Sequence, residues 1–252
     1  MKGLTAMLGK EVREQWRTGR LPVVAVVFLF FGLASPLIAR YTPEIIRLAA
    51  GPVGIPLPVP ASADAVNQLI KNLNQVGVLT AVLLAMGSVA GEKVSGTAGF
   101  VLVKPVDRLA FLIAKFGALA LTLTTGVVVG GLFAYLYTAL LFTPLDAAGF
   151  GAACLVLLMT LLEITSLAFL GSVLARSPVA AAAIGAAAIV VAGIVSAIPH
   201  VGGYTPFGLN QLARDLALRQ VGMDWTWQLV ANGALVVAAL AASWLVFRRQ
   251  AL

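Results

Sequence analysis

Six long apolar runs most constrain how this 252-residue chain can fold. A helix needs roughly 20 mostly apolar residues to cross the hydrocarbon core of a bilayer, because each residue advances it by about 1.5 Å. The runs that meet this requirement are residues 22–39, 73–90, 109–141, 150–174, 179–198 and 228–247. Only 11% of the residues are charged, whereas a soluble domain has roughly 25%. We therefore predict an all-α integral membrane protein, with six transmembrane helices in a single transmembrane domain over residues 1–252.

The distribution of lysine and arginine predicts which side of the membrane each end faces. One side carries twelve of the 17 basic residues and four acidic ones, whereas the other side carries five basic and five acidic residues. Basic residues are retained on the cytoplasmic side. We therefore predict that both termini are cytoplasmic and that residues 40–72 and 199–227 are extracytoplasmic. The basic excess lies beside the apolar runs, which favours contact with anionic lipid headgroups and not with nucleic acid.

Short helices are predicted within the two extracytoplasmic segments. Helix should resume after Ser62 and continue into the second run. In the last segment Leu209, Leu212 and Leu216 share one face at helical spacing, which predicts a short amphipathic helix.

The first 21 residues have the pattern of a helix that lies on the membrane surface. At 100° per residue, Leu4, Leu8, Val12 and Trp16 fall on one arc and most basic residues fall on the opposite arc. We predict an N-terminal amphipathic interfacial helix over residues 1–21. Its candidate surface residues are Lys10, Glu11, Arg13, Trp16 and Arg17. The alternative is a basic flank that has no further role.

Residues 91–108 form a charged cytoplasmic segment with a short apolar centre. Residues 100–103 are apolar but too few to cross a bilayer. An apolar patch with a polar rim is typical of a docking surface for another protein. The alternative is a helix that lies in the lipid headgroups.

The same segment resembles the first cytoplasmic loop of ABC type-2 exporter permeases. The residues that match that family's pattern are Glu92, Gly96, Thr97, Lys104, Pro105, Arg108 and Lys115. Asp107 stands where the family more often has Ser. The stretch LGKEVREQWRTGR is similar to the family's amphipathic entry helix, including its Lys10–Glu11 pair.

The resemblance implies that residues 91–108 are a coupling helix, which docks on a separate cytosolic ATPase. The residues that it implies for docking are Glu92, Gly96, Thr97, Phe100, Val101, Leu102, Lys104, Pro105 and Arg108. The chain has no G-x-x-x-x-G-K-[ST] phosphate loop. It would therefore be no enzyme by itself and would bind no cofactor. ATP and Mg would bind to the partner.

The resemblance also implies the partners and the location of the chain. The expected partners are a dimeric ATPase, a second permease copy or a sister permease, and membrane lipids, with no nucleic acid. The expected location is the bacterial plasma (inner) membrane. The substrate is not identified.

Glu163 lies near the middle of the fourth run. A carboxylate at that depth is costly unless it is paired or hydrated. It either lines a translocation path or is protonated and hydrogen-bonded to Thr or Ser of a neighbouring helix. The single cysteine and the single histidine, Cys154 and His200, offer no cluster of metal ligands, so no metal site is predicted.

Two other classes of function compete with the exporter permease. A stand-alone secondary transporter or channel should carry several intramembrane charges or an inverted repeat. An intramembrane enzyme should carry G-x-S-x-G or H-E-x-x-H. The sequence has one intramembrane carboxylate and neither motif, which favours the permease.

Overall fold

The computed structural model describes residues 3–50, 59–96, 107–220, 222 and 224–250. Within these residues the regular structure is helical and no strand occurs. The helices are α1 (Leu4–Arg17), α2 (Arg20–Ala50), α3 (Ser62–Asn72), α4 (Val78–Met86), α5 (Ala90–Val94), α6 (Arg108–Leu141), α7 (Ala147–Leu174), α8 (Pro178–Ser196), α9 (Leu209–Ala217) and α10 (Thr226–Phe247). A single π-helical turn, Leu73–Gly77, joins α3 to α4.

Six helical segments in the described part are long and apolar enough to cross a membrane. They are Arg20–Ala49, Ser62–Val94, Arg108–Leu141, Ala147–Leu174, Pro178–Ser196 and Thr226–Phe247. The prediction of an all-helical protein with six candidate spans is therefore confirmed. Which residues lie outside the bilayer, and which side each end faces, stay predictions.

Two helices extend beyond the predicted spans. The first predicted span ends at residue 39, whereas α2 continues to Ala50 through Pro36 and Pro43. A proline inside a helix removes one backbone hydrogen bond and is tolerated where other groups satisfy the freed carbonyls. Ser35 and Thr42 stand directly before the two prolines, and their hydroxyls donate to the carbonyls of Phe31 and Ile38, one residue before the carbonyls that the prolines leave free.

The second segment is helical well before residue 73. α3 begins at Ser62, which confirms the predicted resumption of helix at that point, and the π turn carries it into α4. Asn72 lies buried just before that turn and donates to the Ser35 hydroxyl at 2.8 Å. The polar start of the second span is therefore paired with the proline-containing part of α2.

Glycines bring α2 and α6 into close contact. A Cβ added at Gly130 would lie 2.7 Å from the carbonyl oxygen of Phe28, and one at Gly126 would lie 3.0 Å from Cγ1 of Val24. Small residues at four-residue spacing allow such approach between membrane helices. α6 is held along much of its length by α2, while α1 lies across its first turns.

α7 forms the centre of the bundle. It contacts α4, α8, α9 and α10, and 61% of the residues in its most apolar stretch are buried. The predicted short helix is present as α9, with Leu209 and Leu212 buried. α8 and α10 are much less buried: 11% and 17% of the residues in their most apolar stretches lie inside the protein.

Candidate functional site: a charged cluster beside the loop between α5 and α6

Lys115 of α6 lies at the centre of a cluster of ionised side chains. Its ammonium lies 3.1 Å from Oε2 of Glu11 and 2.7 Å from Oε1 of Glu92. The side chains of Lys115 and Glu11 are 3% and 7% exposed, so the pair is almost wholly removed from water. The Phe111 ring lies 5.1 Å from the same ammonium and adds a cation–π contact. Three separate helices, α1, α5 and α6, thus meet on one lysine.

Lys10 closes the cluster on its solvent side. Its ammonium lies 3.0 Å from Glu11, 3.3 Å from Glu14 and 3.6 Å from Glu92. Burial opposes its charge, but the hydrogen bond and attraction of Glu11, together with Glu92 and Glu14, outweigh burial and raise the pKa of Lys10 above its usual range. We call Lys10, Glu11, Glu14, Glu92 and Lys115 the charged cluster.

The charged cluster supplies its own counter-charges. Glu11, Glu14 and Glu92 bring carboxylate oxygens within 4.8 Å of one another, as in a metal site. The Lys10 ammonium contacts all three carboxylates. It therefore holds the position that a cation would take. A cavity of about 520 Å³ opens beside the cluster, between α1, the α4–α5 region and the start of α6.

A second set of contacts ties the start of α6 to the end of the chain. Nη1 of Arg108 donates to the carbonyl oxygens of Phe247, Arg248 and Gln250 at 3.3, 2.9 and 3.2 Å. A cation beside the last carbonyls of a helix is stabilised by the helix dipole. The rings of Phe111 and Phe247 stack beneath it, 5.4 Å apart. We call the Arg108 contacts with residues 247–250 the tail contact.

The end of α7 links the tail contact to α5, the helix that supplies Glu92 to the charged cluster. The Val173 carbonyl accepts from Nζ of Lys93 and, at 3.0 Å, from Nε2 of Gln250. The Ser172 hydroxyl accepts from the backbone N–H groups of Val89 and Ala90 and donates to the carbonyl of Met86. This hydroxyl therefore satisfies backbone groups at the break between α4 and α5, where the helical hydrogen bonds are interrupted.

Two residues of the family-like pattern act as helix ends. Gly96 has φ 71°, a left-handed conformation that glycine adopts without strain, and it ends α5 by donating to the Lys93 carbonyl. Asp107 is the N-cap of α6 and accepts from the Leu109 N–H at 3.1 Å. Ser and Asp are both favoured N-caps, so the departure at 107 preserves the capping function.

The predicted docking residues fall into two groups. Glu92 lies in the charged cluster, Gly96 ends α5 and Arg108 makes the tail contact. The others lie outside the described residues: Thr97, Phe100, Val101, Leu102, Lys104 and Pro105.

The predicted surface residues of α1 point in different directions. Arg13, Trp16 and Arg17 are exposed, with Trp16 at 64%. Lys10 is half exposed and Glu11 is buried, because α1 turns the stripe Met7, Glu11 and Gln15 toward the bundle.

Glu163 is fully buried in α7. Neither of its carboxylate oxygens has a hydrogen-bond partner among the described residues. The neighbouring hydroxyls of Thr160, Thr165 and Ser166 donate to backbone carbonyls instead. A hydrogen bond to Thr or Ser of a neighbouring helix, one of the two alternatives for Glu163, is therefore not formed among the described residues.

The pairing of Lys115 with Glu11 was not foreseen from the sequence. The two residues lie 104 positions apart, and no local pattern relates them. One signal was present: Lys115 lies two turns inside an apolar helix, where a charged side chain usually has a partner. The tail contact had no comparable signal, because it joins residues 139–142 positions apart.

The fold and the charged cluster define a multi-pass helical membrane protein with ionised side chains gathered at one end of the bundle. Comparison with known families is consistent with this: the family described as ABC-2 family transporter protein matches residues 5–251. The chain therefore belongs to the ABC-2 transporter family, whose permeases are membrane components of transporters and work with a separate ATP-binding subunit.

A curated relative agrees with this assignment. The uncharacterised transmembrane protein YxlG of Bacillus subtilis (strain 168) is 28% identical over 156 residues. The match covers 61% of this chain and 60% of the relative's length.

Proposed function

We propose that this chain is the membrane-spanning permease subunit of an ATP-binding-cassette exporter in the bacterial plasma membrane. A separate cytosolic ATPase dimer, which binds ATP and Mg, would drive movement of an unidentified substrate. Two permease chains, identical or sister, would form the complete transmembrane part, because six spans are half of the usual number in this family.

The anchoring of both ends of the loop between α5 and α6 carries this proposal. At its start, Glu92 is bound to Lys115 and Lys93 to the end of α7. At its end, Arg108 is bound to the tail after α10. A partner that pushes on this loop would move α1, α6, α7 and α10 together. The mechanism is a rigid-body rocking of helices driven from the cytoplasm.

The same arrangement supports one orientation of the chain in the membrane. The charged cluster, the tail contact and exposed Arg176 lie at the end of the bundle with the excess of basic residues. We infer that this end is cytoplasmic, together with both termini. α1 would lie in the membrane interface at that end, with Trp16 toward lipid and Arg13 and Arg17 toward headgroups.

Co-purification tests the docking loop. The chain would be expressed with the ABC ATPase encoded beside it, and retained ATPase would be measured with and without nucleotide. Phe100→Asp should abolish retention, because it charges the apolar centre of the loop. Val59→Asp likewise replaces an apolar side chain by a carboxylate, at an 85% exposed site in the segment predicted to be extracytoplasmic. This control variant should retain the ATPase. Folded wild-type chain that retains no ATPase under any nucleotide condition would refute the proposal.

Glu163 is the observation that favours a second candidate, a stand-alone secondary transporter. A buried carboxylate with no hydrogen-bond partner in the described part of the chain resembles the ion-coupling groups of such proteins. Proton-coupled uptake or efflux by vesicles that contain this chain without any ATPase, lost in Glu163→Gln, would establish that alternative.

A further inference from the structure

A groove between α6 and α7 lies away from the charged cluster and is almost wholly apolar. It has a volume of about 430 Å³ and is lined on α6 from Thr124 to Tyr135 and on α7 from Ala147 to Leu158. Its few polar groups are already used within the protein. The Thr124 hydroxyl donates to Ala120 and the Tyr135 hydroxyl donates to Leu145. The groove therefore offers nothing to a polar ligand, and an apolar chain is the occupant that its chemistry suits.

The length of the groove matches one leaflet of a bilayer. The lining of α6 covers eleven residue steps, which is about 16 Å at 1.5 Å per residue. The hydrocarbon core is about 30 Å thick, so one leaflet is about 15 Å deep. The groove begins at the α6–α7 connection, next to Ala147, and runs into the candidate spans from there. With α6 and α7 crossing the bilayer, the groove would start at the headgroups of one leaflet and end near the bilayer centre.

Glycine makes the groove open. A Cβ added at Gly151 would meet no heavy atom within 4 Å, so any larger residue here would project into open space. Gly131, in contrast, forms part of the closed floor, since a Cβ there would lie 2.8 Å from Sγ of Cys154. Val128 and Leu155 at the rim are 61% and 69% exposed, so the groove opens outward from the bundle.

A cation lies at the headgroup end of the groove. Nη2 of Arg219 lies 2.8 Å from Oδ1 of Asp146, the residue directly before groove-lining Ala147. The Arg219 side chain is 70% exposed, and its guanidinium has five N–H groups, so it can bind Asp146 and a phosphate together. Asp146 is itself fixed as the N-cap of α7 by the Gly149 N–H at 2.7 Å.

We propose that this groove binds a phospholipid of the surrounding bilayer, with one acyl chain between α6 and α7 and its phosphate on Arg219. The apolar lining, the length of one leaflet and the guanidinium at the headgroup end together identify the occupant. The site is separate from the docking loop and requires no ATPase.

Photo-crosslinking tests the site in the full chain. The protein would be reconstituted in nanodiscs of phosphatidylethanolamine and phosphatidylglycerol, with a trace of phosphatidylglycerol that carries a diazirine in one acyl chain. Labelled residues would be mapped by mass spectrometry. We expect labelling on the groove residues Leu132, Gly151, Cys154 and Leu155 to exceed that on the exposed face of α8 at Val190, Val191 and Ile194. Equal labelling of groove and α8 would overturn the proposal, as would crosslinks that join the groove to a second copy of the chain.

Matched variants separate the acyl chain from the headgroup. Gly151→Leu fills the groove and should abolish its labelling, whereas Gly193→Leu, also in open space but on α8, should leave it unchanged. Arg219→Gln should lower groove labelling roughly three- to tenfold, and Arg214→Gln, at an exposed position within α9, should not lower it. Groove labelling that survives both Gly151→Leu and Arg219→Gln would contradict the proposed site.

Discussion

Lys115 in α6 donates at 3.1 Å to the carboxylate of Glu11 in α1, 104 residues earlier in the chain. The same ammonium reaches Glu92 in α5 at 2.7 Å. Loss of one partner from a buried ion pair costs much more than the pair contributes, because a charge is left in a poorly solvated site. The arrangement therefore makes the first helix of the protein depend on a residue of its third candidate span.

Replacement of Lys115 tests this dependence. Lys115→Met should lower the free energy of unfolding by about 3–5 kcal/mol, because Glu11 and Glu92 lose their buried lysine partner and keep the half-exposed Lys10. Adding Glu11→Gln and Glu92→Gln to the same protein should recover most of that loss, since neutral amides then replace the two carboxylates that lost Lys115. Thermal unfolding in detergent measures both proteins. Equal instability of the single and triple variants would contradict the ionic explanation.

Arg108 should hold the end of α10 in place. In Arg108→Gln the carbonyls of residues 247–250 lose a charged donor, so backbone amides near Phe247 should exchange hydrogen about tenfold faster. Hydrogen–deuterium exchange with mass spectrometry measures this directly. Arg176→Gln removes the same charge from an exposed site at the same end of the bundle and serves as the control. No change in exchange for Arg108→Gln would show that the tail contact does not stabilise the helix end.

The Asp146–Arg219 pair should make stability depend on acid. The Gly149 N–H and the Arg219 guanidinium hold the pKa of Asp146 below its usual range. A lowered folded pKa contributes stability above the unfolded value of about 3.9, and this contribution is lost as pH falls through the folded value. The melting temperature of Asp146→Asn should therefore lie below that of wild type at pH 7 and approach it as the pH falls below the unfolded value of about 3.9. Exposed Glu44→Gln is the control; a constant gap for Asp146→Asn would refute the linkage.

Replacement of Glu163 should raise the stability of the protein and, if Glu163 has a role in transport, lower its activity. Glu163→Met removes a fully buried carboxyl that has no hydrogen-bond partner among the residues the structure describes, so the free energy of unfolding should rise by about 1–3 kcal/mol. If Glu163 lines the translocation path, export should fall in the same variant. Leu162→Met changes the adjacent residue at similar volume and controls for packing. A variant that is no more stable and exports normally would remove both interpretations.

The close contact of α2 and α6 should be sensitive to a single methyl group. Gly130→Ala places a carbon 2.7 Å from the Phe28 carbonyl oxygen, and the forced separation should cost about 1–3 kcal/mol. Gly193→Ala in α8 meets no atom within 4 Å and should instead stabilise by about 0.5–1 kcal/mol through helix propensity. Thermal unfolding of the two variants should shift in opposite directions; a shared direction would contradict the close packing.

The sequence predicted the features that depend on local composition. Apolar runs gave the six candidate spans, and the spacing of Leu209 and Leu212 predicted α9. Span ends were less predictable, because α2 continues past residue 39 and through Pro43 into a more polar stretch. The resemblance to a family identified Glu92 and Arg108 as important, but their partners could not be predicted. Lys115 and residues 247–250 reach them through tertiary packing between helices far apart in sequence.

The Val173 carbonyl accepts hydrogen bonds from both Lys93 and Gln250, and this shared acceptor completes a closed ring of contacts. From Lys93 the contacts run through Val173 and Gln250 to Arg108, along α6 to Lys115, and back through Glu92 to the residue beside the start. Because these contacts form a closed ring, loss of any one of them leaves all the residues still linked through the remaining contacts. Single substitutions in the ring should therefore understate its contribution to stability. Two substitutions at separate contacts should lower the free energy of unfolding by more than the sum of their separate effects.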